Sequence, residues 1–514
     1  MWIPRAGLIA TALIVAAAEL RAEAPLSAID WLSQSVATPA ALPRPAPLNE
    51  PPITKGAAAR TISMAPLGGP DVDALGLISA QRAGLPRNLW GATSSAELAR
   101  LLRAEQPDTL PAVQALLYAL LIAELAPPAD SDRDGALFLA RVDKLLDLGA
   151  LDPALSLLEL LEKPRPEPFR RWFDVSLLMG QEYRACDVMG QNPQIAPTFP
   201  ARIFCLARGG DWNAAALSLR TGQTLGTIEP EMADLLSRFL DPELFEDDAD
   251  LPVPDRPSPL VLRLMEAIGQ PIATTTLPVA FAQADLRSNS GWKVRIEAGE
   301  RLAAMGAIPP NRLLGLYTEQ KAAASGGVWE RVKAIQALEA ALDAGAPEAI
   351  AAALPVAWAQ MEALELEVPF AKLFGAKLAA VDLLGDEGAL AFRIGLLSDD
   401  YEMIARNRKP ADAAEAFLAG LARGDLRGTT APDQMGVAIQ AAFTDAARPE
   451  DALVQLLADQ KLGEALLKAM NKVTEGASGD LRDVTEGLAL LRQVGLEAPA
   501  RRAGLELLLL ERRG

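Results

Sequence analysis

Cys186 and Cys205 are the only thiols in a chain of 514 residues that has no histidine. A structural zinc takes four nitrogen or sulfur ligands, and two cysteines without histidine cannot supply them. A dithiol redox centre places its sulfurs in a C-x-x-C spacing, far closer than this pair. What remains is a disulfide closing a loop of about 20 residues, worth roughly 3 kcal/mol in an oxidising compartment, or two buried free thiols. The missing imidazole also removes Ser-His-Asp triads and histidine general bases, leaving carboxylate or Ser/Lys chemistry. Glu297 and Glu300, one helical turn apart, come closest to a carboxylate pair, and such pairs ordinarily form a solvated face. The chain reads as a non-enzyme.

Two further clusters carry binding chemistry. Asp130, Asp132, Asp134 and Gly135 reproduce the D-x-D-x-D-G opening of a calcium loop, whose alternating carboxylates converge on one hard cation. Arg141 stands at the twelfth position, where a bidentate glutamate is expected. The competing role is an acidic cap for the helix that begins ALFLARVDKLL. No cofactor other than calcium is suggested, and FEDDAD at 245–250 reads as a solvated loop. The second cluster lies in 283–332 and contains Arg287, Trp292, Lys293, Arg295, Asn311, Tyr317, Glu319, Lys321 and Trp329, in a chain that is only 5% aromatic. Aromatic and arginine side chains together suit a partner-binding hot spot; the alternative is two core tryptophans surrounded by surface charge.

The elements that must position these residues are helices. Ser94 and Glu97 have capping-box spacing, and from there helical patterns of about 10–16 residues alternate with Pro/Gly breaks. Ala and Leu dominate, and strand-like alternation is nearly absent. DLGALDPA, LMGQEYRA, RGGDWNAA and QVGLEAPA each place a glycine five residues before an alanine: Gly149/Ala154, Gly180/Ala185, Gly210/Ala215 and Gly495/Ala500. A left-handed glycine ends one helix, and the small alanine lets the next approach closely. Hairpins that cannot bury their own apolar stripe stack on one another. The expected class is therefore all-α, a helical-hairpin repeat superhelix or solenoid. In this respect the chain resembles tetratricopeptide-like superhelices over residues 94–240; MGQEY keeps the Gly and Tyr spacing, while Ser176 stands where that family has Trp. It also resembles exported bacterial proteins named antifreeze glycopeptide polyproteins, through its N-terminal signal, its proline linker and the block GWKVRIEAGERLAAMGAIPPNRLLGLYTEQKAAASGGVWERV. An antifreeze glycopeptide needs a long Ala/Thr array, and ATTT at 273–276 is isolated, so that resemblance implies no function.

At the N-terminus, Arg5 precedes an apolar run from Ala6 to Ala18 and then small residues, the order of a secretory signal peptide. The expected organisation is a signal over 1–24, a Pro-rich and largely extended linker over 25–90, a helical-repeat part over 91–250, and a second helical-repeat part over 251–514. No later stretch reaches the roughly 20 apolar residues that span a bilayer. The net charge of −18 repels nucleic acid and anionic membrane surfaces. These features together predict an exported, periplasmic scaffold or adaptor for another envelope protein. The alternative, from a different class, is a peptidoglycan- or glycan-binding or glycan-active envelope protein.

Overall fold

The computed structural model describes residues 29, 31–32 and 71–510, apart from 133, 323, 445 and 446. The expected signal and the proline-rich stretch 36–70 lie outside these residues. The chain is all-helical, with 24 α-helices among the described residues and a single two-stranded pairing, β1 (Ile78–Ser79) parallel to β2 (Ala123–Glu124).

Three large hydrophobic cores organise the helices, with a small fourth beside them. The first is begun by α1 (Ser95–Ala104), α2 (Pro111–Ile122), α3 (Ala136–Asp147) and α4 (Leu151–Glu159). The second lies among α5 (Pro166–Met179), α6 (Glu182–Gln191), α7 (Phe199–Arg208), α8 (Trp212–Leu225), α9 (Pro230–Leu240) and α10 (Pro259–Ala267). The third is built from α11 (Ala282–Asp285), α12 (Trp292–Ala304), α13 (Pro310–Thr318), α14 (Val328–Asp343), α15 (Pro347–Glu362), α16 (Glu367–Ala379) and α17 (Gly385–Leu396). After α18 (Tyr401–Asn407), the helices α19 (Ala413–Arg423), α20 (Gln434–Phe443), α22 (Leu462–Ala477), α23 (Leu481–Gln493) and α24 (Glu497–Leu509) return to complete the first core, and α21 (Asp451–Ala458) packs its Leu453 with Ala465, Ala469 and Leu490 in a small fourth one.

Local chemistry explains the helix ends. Ser94 accepts from the Glu97 amide, as the capping spacing predicts, but the Glu97 carboxylate turns outward to Arg100 instead of closing the box. Thr198, Asp211 and Asp412 cap α7, α8 and α19 in the same way. All four predicted turn glycines have φ between 71° and 87°, and all four alanines five residues on are fully buried. These glycines join α3 to α4, α5 to α6, α7 to α8 and α23 to α24. The same turn occurs with Gln460 (φ 59°) before buried Ala465 and with Glu365 (φ 55°) before buried Phe370, units that a search for glycine passes over.

Residues 71–90, expected to belong to the extended linker, are packed. Leu89 and Trp90 are buried, and the Asp73 carboxylate accepts from the Phe138 amide at the start of α3. Past Pro70 the prolines thin out and apolar residues return, so this segment has anchors to bury. Further upstream, Trp31 is buried edge-on against Phe281, with ring centroids 5.5 Å apart.

Most consecutive helices pack as neighbours, and the first and last described helices also meet: α1 lies against α22, and α2 against α22 and α24. The Ala112 amide donates to Glu506, the Gly463 amide to the Leu89 carbonyl, and the Thr109 and Thr474 hydroxyls are 2.6 Å apart. An open stack brings only successive units together; here the last helix covers the second.

Candidate interaction surface

The expected hot spot at 283–332 is used mainly to brace α12, α13 and α14 against each other. Tyr317 is 1% exposed, and its hydroxyl donates to Glu300, which also receives two 2.7 Å hydrogen bonds from Arg331. Burial first, then the Glu300 charge, pushes the Tyr317 hydroxyl far above its usual range. Tyr317 is therefore a structural clamp and corrects the expectation of a partner contact. Half-buried Trp292 and Trp329 pack on each other with centroids 5.0 Å apart, and Trp292 Nε1 donates to the Leu316 carbonyl. Arg295 pairs with Glu319 at 2.6 Å, and Lys293 faces Glu297 at 3.7 Å. Asn311 and Lys321 are exposed and bind nothing recorded among the described residues. Glu300 is a buried brace, so the Glu297/Glu300 pair does not face solvent as a unit.

The aspartate loop is likewise engaged by the protein itself. Asp130 accepts from the Ser95 amide and hydroxyl, and Asp132 from the amides of Asp134 and Gly135. Arg141, at the twelfth position, is fully buried and donates to the carbonyls of Asp73, Leu75, Leu121 and Ala123. Asp130, Asp132 and Asp134 therefore do not converge, and no group of three or more potential ligands is assembled among the described residues. The acidic cap of α3 is supplied by Asp73, some 65 positions from its amide partner.

Cys186 on α6 and Cys205 on α7 form a disulfide, with Cα atoms 5.0 Å apart. Around this staple the structure builds an aromatic and arginine surface of the kind expected at 283–332. The Arg208 guanidinium lies 4.7 Å from the Tyr183 ring centroid and 6.0 Å from that of Phe204. Phe204 stacks on Phe239 at 5.6 Å, and Phe239 meets Trp212 at 6.1 Å. The ribbon thus crosses α6, α7, α9 and α8, with its two ends open to solvent: Tyr183 is 56% and Trp212 49% exposed.

Charge holds the ribbon in place. Glu182 is 1% exposed and receives 2.8 Å contacts from both Arg208 and Arg263. Burial alone would raise its carboxyl, but the hydrogen bond from Arg263 and the charges of Arg263 and Arg208 hold it below the usual range. Arg263 also pairs with Glu266, which in turn receives Arg287 at 2.8 Å. Arg287 therefore contributes to this surface from behind, through carboxylates.

Six of the thirteen large hydrophobic residues exposed among the described residues fall between 183 and 253: Tyr183, Trp212, Leu217, Leu225, Leu244 and Val253. Alongside them, residues 229–250 carry nine carboxylates against one arginine. A signal for this surface existed in the repeat frame. Tyr183 stands two residues before buried Ala185, about 200° around the helix and so on the outward face. It could not be recognised without knowing that Arg208, Phe204 and Phe239 converge on it.

Among the surface grooves, one of about 420 Å³ contains Trp172 but a single carboxylate, Glu159. Another of about 630 Å³ contains Glu105, Glu450, Glu475 and Asp483 but no tryptophan. No helix among the described residues is long and apolar enough to cross a membrane. No family model, curated protein or solved structure matches the chain.

Proposed function

We propose that the protein is an exported periplasmic scaffold or adaptor, built of stacked tetratricopeptide-like hairpins, that binds another envelope protein through the face formed by α6–α9. The observation that carries this reading is the Tyr183–Arg208–Phe204–Phe239–Trp212 ribbon with its exposed ends. Tyrosine, tryptophan and arginine dominate binding hot spots because they present large, rigid area with a polar handle. The acidic segment 229–250 beside the ribbon selects a basic partner surface and speeds encounter with it. Export is supported by the N-terminal sequence and by the disulfide, which persists in oxidising compartments. The glycan reading calls for a cleft that joins tryptophan to paired carboxylates, and the grooves described separate those two features.

The reading is tested by replacing Tyr183, Arg208 and Trp212 together with alanine in cells. Recovery of the crosslinked envelope partner should fall by at least about tenfold while helicity and the disulfide persist, because hot-spot residues each contribute about 2 kcal/mol or more. Unchanged recovery would refute the assignment of this face.

A further inference from the structure

The groove of about 630 Å³ lies between α1, α21 and α22, closed at one end by Asp483 of α23. Its apolar lining comes from Leu101 and Ala104 of α1, Leu453 and Leu456 of α21, and Leu467 of α22, and the rest of the lining is polar or charged. Every cation on its rim is already matched. Arg100 pairs with Glu97, Lys468 with Glu464, and Lys472 with Glu450, Asp483 and Glu486. The carboxylates are not all matched in return. Glu475 is exposed, and its carboxylate accepts only from the Asn471 amide group among the described residues. Glu105, which is 6% exposed as a residue, lines the groove with its carboxyl in reach of solvent there, and that carboxyl has no hydrogen bond or ion pair among the described residues.

The position of Glu105 makes that vacancy costly. It caps the C-terminal end of α1, where the helix dipole already disfavours an anion. Lys144, a buried cation beside it, relieves it only in part and through charge alone, since its ammonium donates to the carbonyls of Arg103 and Glu105 and to the Asp147 carboxylate. A buried acid at a helix C-terminus, lining a partly apolar groove and lacking a partner, is a group that waits for a cation.

We propose that this groove binds an aliphatic ammonium group, with its stem along the leucines and its charge on the Glu105 carboxylate. The shared chemistry is that of a lysine side chain or a small alkylamine. An aliphatic stem fits the apolar walls, and its three donors can reach both Glu105 and Glu475. The inference stands apart from the adaptor reading, because the groove lies outside α6–α9.

Burial, offset in part by Lys144 and reinforced by Glu475, pushes the Glu105 carboxyl up to about 8. The charged groups around it are Lys144 of α3, Lys468, Lys472 and Glu475 of α22, Glu450 before α21, Asp483 of α23 and Arg100 of α1. Ammonium binding must ionise Glu105, so it should release a proton at neutral pH.

The test is calorimetric titration of the full chain with 1,5-diaminopentane and, separately, with N-acetyl-lysine methylamide, in two buffers of different ionisation enthalpy. The expected result is one saturable site, tightening by about 25-fold from pH 6.5 to 8.5, with close to one proton released per ligand at pH 7. Glu105→Gln should weaken binding by at least about tenfold and abolish the proton release. Glu475→Gln, at an exposed position that leaves the fold intact, should weaken binding by a few fold and keeps the test decisive if the first variant fails to fold. A response to the diamine alone points to a free amine and a response to the lysine derivative alone to a protein side chain; either supports the site. Absence of binding by both, or equal affinity and proton release in Glu105→Gln, would overturn it.

Discussion

Glu105 shows how much a single residue's environment decides. In the sequence it is one glutamate among many in LLRAEQP; in the fold it is a buried carboxyl without a partner. Its value is near 4.5 in the unfolded chain and about 8 in the folded one, so the folded state holds the proton more tightly. The stability this supplies is complete below about pH 4.5 and is lost as the pH rises to about 8. Glu105→Gln removes the titration, so the stability of the variant relative to the native chain should grow by on the order of 3–5 kcal/mol between pH 4.5 and 8.5. Parallel urea unfolding curves at the two pH values check this, and an equal offset at both would contradict it. The cysteines, by contrast, were legible as a pair, because the chain has no other cysteine and no histidine. Arg141 was legible only as the wrong residue for a calcium loop; its four carbonyl partners come from segments that no local pattern connects.

At the level of elements, the glycine-to-alanine frame could be read because both ends of the pattern have a physical cause. The glycine adopts positive φ, and the alanine is fully buried. The frame failed where Gln460 and Glu365 accept the left-handed conformation, at a cost of about 1–2 kcal/mol that the surrounding packing offsets. The disulfide belongs to this scale. It joins α6 to α7, which carry Tyr183 and Arg208, across a connection broken by Pro193 and Pro197. Replacing Cys186 and Cys205 together by alanine should lower the unfolding free energy by about 3 kcal/mol through the larger unfolded ensemble. Partner affinity of the folded fraction should change by less than about threefold, since Glu182 still orients Arg208. Chemical denaturation and a binding isotherm on the same sample separate the two effects. An affinity loss equal to that of the Tyr183/Arg208/Trp212 variant would show that the staple itself forms the contact.

For the whole molecule, local signals sufficed to give the class and not the closure. Capping, prolines and periodicity identify helices, whereas the meeting of α2 with α24 rests on contacts such as Ala112 to Glu506, which have no counterpart in local pattern. The consequence is measurable. Removing residues 497–514 from an open stack would shorten it at one end, but here it uncovers α2 as well. Hydrogen exchange in that truncated chain should speed up by at least about tenfold over residues 111–122, alongside α19 and α23. Acceleration confined to 413–493 would contradict the closed arrangement.

The central claim is that the α6–α9 face, and not the 283–332 block, meets the partner. Site-specific photo-crosslinking in intact cells tests it most directly, with the photoreactive residue at Trp212 or Leu225 and, for comparison, at Lys293 or Lys321. The account predicts one discrete protein adduct from positions 212 and 225, weakened by high salt and lost when Tyr183 and Arg208 are replaced by alanine, with no such adduct from 293 or 321. The same adduct arising from 293 or 321 while 212 and 225 stay unreacted would contradict it.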